Sequence, residues 1–192
     1  YYVDQMGQSS QTACLEGTYQ SATGQNSCDD ADAGYYVDLT GQSSQTVCAV
    51  GTYQPITGQT DCDNSDAGYY VPLTGQSSQI ACSKGTFQSD MGEQYCDDAD
   101  AGYYVGQIAQ SSQSACLEGT FQADTGQDGC DDADAGYYVD LTGQSSQSAC
   151  AVGTYTPITG QTDCYDADAG YYVPLTGQSS QIACSKGTFQ SD

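Results

Sequence analysis

Apolar side chains in this chain come in short runs, each opened by a glycine and closed by a turn. Gly34-Tyr35-Tyr36-Val37 and Gly51-Thr52-Tyr53-Gln54 are such runs, rich in the aromatic and β-branched residues that favour strands. They are followed by Asp-Leu-Thr-Gly and Pro-Ile-Thr-Gly, turn signatures in which glycine supplies a positive φ. Helical periodicity is absent over any useful window. Each segment therefore reads as a small β-hairpin or strand-turn-strand unit.

The runs keep time. Gly17, Gly34, Gly51, Gly68, Gly85, Gly102, Gly119, Gly136, Gly153, Gly170 and Gly187 follow one another at intervals of 17 residues. An aromatic stands two residues after each, from Tyr19 to Phe189, and Tyr2 extends that series toward the N-terminus. Five residues further on comes a second glycine series from Gly7 to Gly177, broken once by Ala109. Units alternate between A-G-Y-Y-V (Ala33 to Val37) and C-A-V-G-T-Y-Q (Cys48 to Gln54), which makes the true repeat 34 residues long. The chain divides accordingly into repeats 1–34, 35–68, 69–102, 103–136 and 137–170, with a partial repeat at 171–192. A third period of 102 residues lies above these, since Tyr69 to Asp90 recurs unchanged at Tyr171 to Asp192. It records either a duplication or a structural turn.

A 17-residue unit is too small to bury a core alone, so units must stack or be stapled. The expected fold is all-β: disulfide-stapled hairpins stacked into an elongated rod or solenoid. At sheet spacing each hairpin would advance roughly 10 Å.

Composition sharpens this picture. The chain carries 25 acids against Lys84 and Lys186, with no arginine or histidine, for a net charge of -23. Such a balance disfavours nucleic acid and anionic membranes and favours solubility and cation binding. No apolar run is long enough to span a bilayer. The chain begins mid-repeat at Tyr1 without a visible signal peptide, as a window on a longer array would. Eleven regularly spaced cysteines without histidine point to an oxidising compartment and a disulfide framework rather than zinc. An extracellular or cell-surface location follows.

The motif C-x-x-G-T-Y-x-x-x-x-G-x-x-x-C at Cys14 to Cys28 and Cys48 to Cys62 resembles the cysteine-rich ephrin-receptor-like (GCC2/GCC3-type) extracellular tandem repeats. The resemblance covers essentially the whole chain. In that family each unit carries two cysteines, as C-x-x-C; here each carries one. Gln11, Cys28, Gln45, Cys62, Gln79 and Cys96 alternate at one position, and Cys14, Ala31, Cys48, Ser65, Cys82 and Ala99 at the other. Measured against the family pattern, Ala31 and Gln45 replace cysteines together, while Cys14 and Cys28 are kept together. Bonded cysteines are lost in pairs. The comparison implies Cys14–Cys28, Cys48–Cys62, Cys82–Cys96, Cys116–Cys130 and Cys150–Cys164, with the partner of Cys184 beyond the end of the chain. Pairing of Cys28 with Cys48 and onward stays open as the alternative.

Candidate chemistry is sparse. Asp29, Asp30 and Asp32, with their counterparts Asp97, Asp98, Asp100, Asp131, Asp132 and Asp134, have the alternate-carboxylate pattern that suits Ca²⁺. They suit equally an acidic, solvated link, and no bidentate glutamate follows at EF-hand distance. Dense serines and threonines leave room for O-linked sugar, while N-x-S/T sequons are absent. The Tyr-Tyr pairs either both cover a thin core or turn one ring outward for lateral association or sugar stacking. Without histidine, arginine or tryptophan, general acid–base work would fall to carboxylates alone, and a repeated acidic link shows no sign of the single cleft a catalyst needs. The sequence thus reads as a non-enzymatic extracellular structural protein: a filament, stalk or matrix fibre that self-associates. The alternative is a segment of an adhesin or receptor-type ectodomain that binds a protein or glycan, or serves as a spacer.

Overall fold

The computed structural model describes residues 1–3 and 10–187. Gly7 and Phe189, members of the two periodic series, lie outside the described residues. Among the described residues there is no helix, and twenty two-residue strands pair as ten two-stranded antiparallel sheets. Each sheet is one hairpin, named here by the glycine that opens it. In the Gly17 hairpin, Thr18 faces Asp30 and Tyr19 faces Asp29. In the Gly34 hairpin, Tyr35 faces Val47 and Tyr36 faces Thr46. The G-T-Y/F hairpins (Gly17, Gly51, Gly85, Gly119, Gly153) alternate with the G-Y-Y hairpins (Gly34, Gly68, Gly102, Gly136, Gly170). Hairpins do not merge edge to edge into one continuous sheet, as stacking at sheet spacing would require. Their strands are too short, and hairpins are linked by a few isolated backbone bonds, some at the periodic glycines and others, such as Gln20 to Gln42, beside them.

The chain forms two compact units. The first comprises Tyr1–Cys82, Phe87–Asp97 and Ala109–Ser111; the second comprises Ser83–Thr86, Asp98–Ile108 and Ser112–Asp192. The same bonding pattern runs through each. In the first unit, the Gly17 amide donates to the Val37 carbonyl at 2.7 Å and the Gln20 amide to Gln42 at 3.2 Å, joining one hairpin to the next. The Gly41 amide reaches back to the Cys14 carbonyl at 2.7 Å, and the Ala31 amide closes its own hairpin on Gly17 at 2.8 Å. In the second unit, Gly119 to Val139 (2.8 Å), Gln122 to Gln144 (3.2 Å), Gly143 to Cys116 (2.8 Å) and Ala133 to Gly119 (2.8 Å) repeat these four bonds. Backbone polar groups that a globular protein would satisfy in long ladders are satisfied here by contacts to the neighbouring hairpin.

The core is as narrow as the composition suggests. Three residues before each opening glycine from Gly17 to Gly153 sits a small buried side chain: Cys14, Ala31, Cys48, Ser65, Cys82, Ala99, Cys116, Ala133 and Cys150. Three residues after it the G-Y-Y hairpins bury Val37, Val71, Val105, Val139 and Val173. The G-T-Y/F hairpins bury Gln20, Gln54, Gln88, Gln122 and Thr156 at the same place. No buried side-chain nitrogen or oxygen among the described residues lacks a hydrogen-bond partner. Among the described residues no helix is long and apolar enough to cross a membrane.

Candidate functional site

The chemistry of this chain is a set of closures repeated along it, built from three kinds of residue. The first is the glycine seat. Gly17 has φ +81°, and a Cβ added there would fall inside the carbonyl oxygen of Gly58. The same collision arises between Gly34 and Gly75, and between Gly51 and Gly92, in the first unit. It recurs between Gly102 and Gly143, and between Gly136 and Gly177, in the second. An opening glycine therefore receives the turn of the hairpin two places on, 41 residues away. Two independent requirements meet at one atom: a backbone conformation that penalises L side chains and an approach that leaves no room for one. The turn glycines obey a softer rule. Their φ values are positive too, but an added Cβ would meet side chains, such as Val47 Cγ2, 3.2 Å away at Gly75, or the Asp30 carboxyl carbon, 3.5 Å away at Gly58. That is why the one break in either series falls here, at Ala109, which holds φ +59°.

The second element is the disulfide of each G-T-Y/F hairpin. Cys14 bonds Cys28, Cys48 bonds Cys62, Cys82 bonds Cys96, Cys116 bonds Cys130 and Cys150 bonds Cys164, all with Cα atoms 5.8 Å apart. Each closes a loop of about 15 residues, worth roughly 3 kcal/mol in the chain-entropy model. Cys184 is half-buried and makes no disulfide among the described residues.

The third element went unrecognised in the sequence. In the G-Y-Y hairpins a glutamine replaces the second cysteine, and its amide clasps the aspartate next to the small buried residue. Gln45 Nε2 donates to Asp32 Oδ2 at 2.6 Å, while the Asp32 amide donates to Gln45 Oε1 at 2.6 Å. Gln79 with Asp66, Gln113 with Asp100, Gln147 with Asp134 and Gln181 with Asp168 form the same two-bond ring. The strict cysteine/glutamine alternation is thus an alternation of covalent and hydrogen-bonded staples at one position. A buried glutamine braces the other class of hairpin from inside. Gln20 Nε2 donates to the Ser27 carbonyl at 2.9 Å and its Oε1 accepts from the Ala22 amide at 2.9 Å. Gln54 and Gln122 repeat this at Asp61 and Gly129. Where Thr156 stands instead, its hydroxyl accepts from the Gly136 amide at 2.7 Å and donates to the Tyr137 carbonyl at 3.3 Å. The G-T-Y-Q spelling was the signal for this brace, since a glutamine in register with valine has no place in an apolar core without partners.

The candidate cation ligands do not converge. Asp29, Asp30, Asp97, Asp98, Asp131 and Asp132 lie exposed on second strands, and Asp32, Asp100 and Asp134 are engaged by glutamines. Among the described residues no group of three or more His, Cys, Asp or Glu side chains is placed to hold a metal ion. Both rings of Tyr35-Tyr36, Tyr69-Tyr70, Tyr103-Tyr104 and Tyr137-Tyr138 are half-buried, so neither turns fully outward. Tyr165, an oddity of the sequence, pairs with Tyr155 across the strands, ring centroids 6.3 Å apart. Burial holds the Tyr53 phenol above its ordinary value of 10.0, and the carboxylates of Asp66 and Asp63 push the same way. A depression of about 510 Å³ in the first unit, lined by Tyr2, Thr12, Leu15, Thr18 and Asn26 among others, contains no ionisable acid or base beyond the Tyr2 phenol. Lys84 and Asp128 form an ion pair at 3.7 Å with both side chains exposed, a contact of little energetic weight.

No protein-family model matches the chain, and no curated protein matches it.

Proposed function

We propose that this chain is an extracellular structural repeat protein, a segment of a filament, stalk or matrix fibre that associates with copies of itself. The observation that carries the proposal is the sameness of the closures. Each hairpin is fastened by a disulfide or a Gln–Asp clasp, and each opening glycine in the stacked part of either unit receives the turn two hairpins on. Chemistry needs one special place, whereas a load-bearing array needs the same place many times. Five disulfides support an oxidising, extracellular setting. A kinship with ephrin-receptor-like repeats is proposed on the C-x-x-G-T-Y motif, with the clasp replacing one disulfide in two. The rod-like form belongs to the same proposal, as do a non-catalytic role and the attachment of O-linked sugar to exposed hydroxyls.

Electron microscopy of native, unreduced material tests this. Regular filaments or bundles built from the repeat are the expected result. Isolated particles in which the repeat only separates two other bodies would overturn it in favour of a spacer.

A further inference from the structure

We infer that the tips of the G-Y-Y hairpins are the surface through which one copy of this chain binds another; the inference rests on the self-association proposed above. Four of these tips read Leu-Thr-Gly-Gln-Ser-Ser-Gln without variation, at 39–45, 73–79, 141–147 and 175–181. The 102-residue period covers the identity of the first with the third and of the second with the fourth. It does not account for the identity of the first with the second, whose flanks differ: Asp38 against Pro72 before the tip, Thr46-Val47 against Ile80-Ala81 after it.

The fold explains part of the heptapeptide. Gly41 and Gly75 supply a positive φ, Gln42 and Gln76 offer carbonyls to the preceding hairpin, and Gln45 and Gln79 form the clasp. It does not explain the leucines. Leu39, Leu73, Leu141 and Leu175 are 57%, 63%, 58% and 62% exposed, so each tip presents a largely uncovered apolar side chain at the same position.

Charge points to a second copy as the occupant. The chain has a net charge of -23, so two copies repel one another over most of their surface. The four heptapeptides contain no ionisable group, whereas four of the five corresponding G-T-Y/F tips carry acids (Asp61, Asp90, Glu93, Asp124, Asp128 and Asp163), the Gly17 tip alone being neutral. Neutral, leucine-bearing tips are where identical acidic chains can touch without opposing carboxylates. They recur in step within each unit. Gly34 seats the turn of the Gly68 hairpin in the first unit, and Gly136 seats that of the Gly170 hairpin in the second. Exposed aliphatic side chains ringed by hydroxyls and amides have the make-up of an apolar interface centre with a polar rim.

Sedimentation velocity of the oxidised protein over a concentration series, at low and moderate salt, tests the inference. Wild type is expected to gain mass with concentration, more so as salt screens the acids. The quadruple variant Leu39→Asp/Leu73→Asp/Leu141→Asp/Leu175→Asp is expected to bind itself at least about tenfold more weakly. The milder Leu→Thr quadruple serves if the first folds poorly. Leu15→Asp/Leu117→Asp, at residues 73% and 71% exposed beside the G-T-Y/F glycines, is expected to behave as wild type. Tip variants that associate like wild type would overturn the assignment of this surface and leave self-association standing. Wild type that stays monomeric throughout would overturn self-association itself, and this inference with it.

Discussion

Replacing Gly51 by alanine separates the two demands of the glycine seat. Gly51 has φ +79°, and an added Cβ collides with the Gly92 carbonyl. Gly153 has φ +89° with nothing within 4 Å of the added Cβ. Both substitutions place an L side chain in the left-handed region, at about 1–2 kcal/mol. Both regain about 0.4–1 kcal/mol by restricting the unfolded chain. Only Gly51→Ala must also displace a neighbouring backbone, and overpacking of that kind costs roughly 1–3 kcal/mol. The carbonyl cannot yield freely, because the Gly92 amide donates to Ser65 at 2.9 Å and the Ser65 hydroxyl both accepts from the Glu93 amide at 3.1 Å and donates to its carbonyl at 3.3 Å. Gly51→Ala should therefore lose about 2–4 kcal/mol and Gly153→Ala about 1 kcal/mol. Urea unfolding of the oxidised proteins, followed by tyrosine fluorescence, measures both. Equal losses would refute the reasoning, because the seat would then be a conformational requirement alone.

Ala109→Gly should stabilise the protein by about 0.5–1 kcal/mol, relief of its left-handed strain exceeding the entropy it returns to the unfolded chain; thermal unfolding would show a rise of a few degrees. Ala31→Cys/Gln45→Cys should form a sixth disulfide without catalysis, since both positions match those of Cys14 and Cys28. Non-reducing peptide mapping would detect it, and two free thiols would count against the equivalence of clasp and disulfide. Gln45→Ala should cost about 1 kcal/mol, more than most exposed changes, because the Asp32 carboxylate loses a charge-assisted partner. Tyr53 holds its proton more tightly folded than unfolded. The stability it contributes is complete below the unfolded value near 10 and is lost as pH rises through the higher folded value. Tyr53→Phe should flatten the alkaline fall in melting temperature, and an unchanged fall would contradict the shift.

Much of the architecture is written in the spacing. Gly34 and Gly41 mark the base and turn of a hairpin, and the aromatic between them marks its first strand. The five disulfides join the cysteines that the resemblance to a known motif pairs. The Gln45–Asp32 clasp escaped because a glutamine in place of cysteine looks like the loss of a staple, and the 34-residue recurrence of Asp32 and Gln45 does not say that side chains 13 residues apart bond one another. Asp32, read in the sequence as a candidate cation ligand, is instead engaged by Gln45. The aromatic pair Tyr35-Tyr36 was ambiguous for a related reason. In a two-residue strand both rings sit at the hairpin base and both are half-buried, so the inward–outward alternation of a long strand does not apply. The seat joining Gly17 to Gly58 was also illegible, because a 17-residue period does not say whether a unit rests on its first or its second neighbour.

Amide hydrogen exchange of the oxidised protein tests the central claim most directly, that hairpins of both classes, clasped or disulfide-closed, are seated on their neighbours by the same backbone bonds. The account predicts equal protection for equivalent amides in both classes. Gly58 and Gly75 should match, as should Ser65 and Cys48, each of which donates to a neighbouring carbonyl at 2.8–2.9 Å. Protection confined to the disulfide-closed hairpins, with fast exchange at Cys48 and Cys82, whose amides close the clasped ones on Gly34 and Gly68, would contradict it.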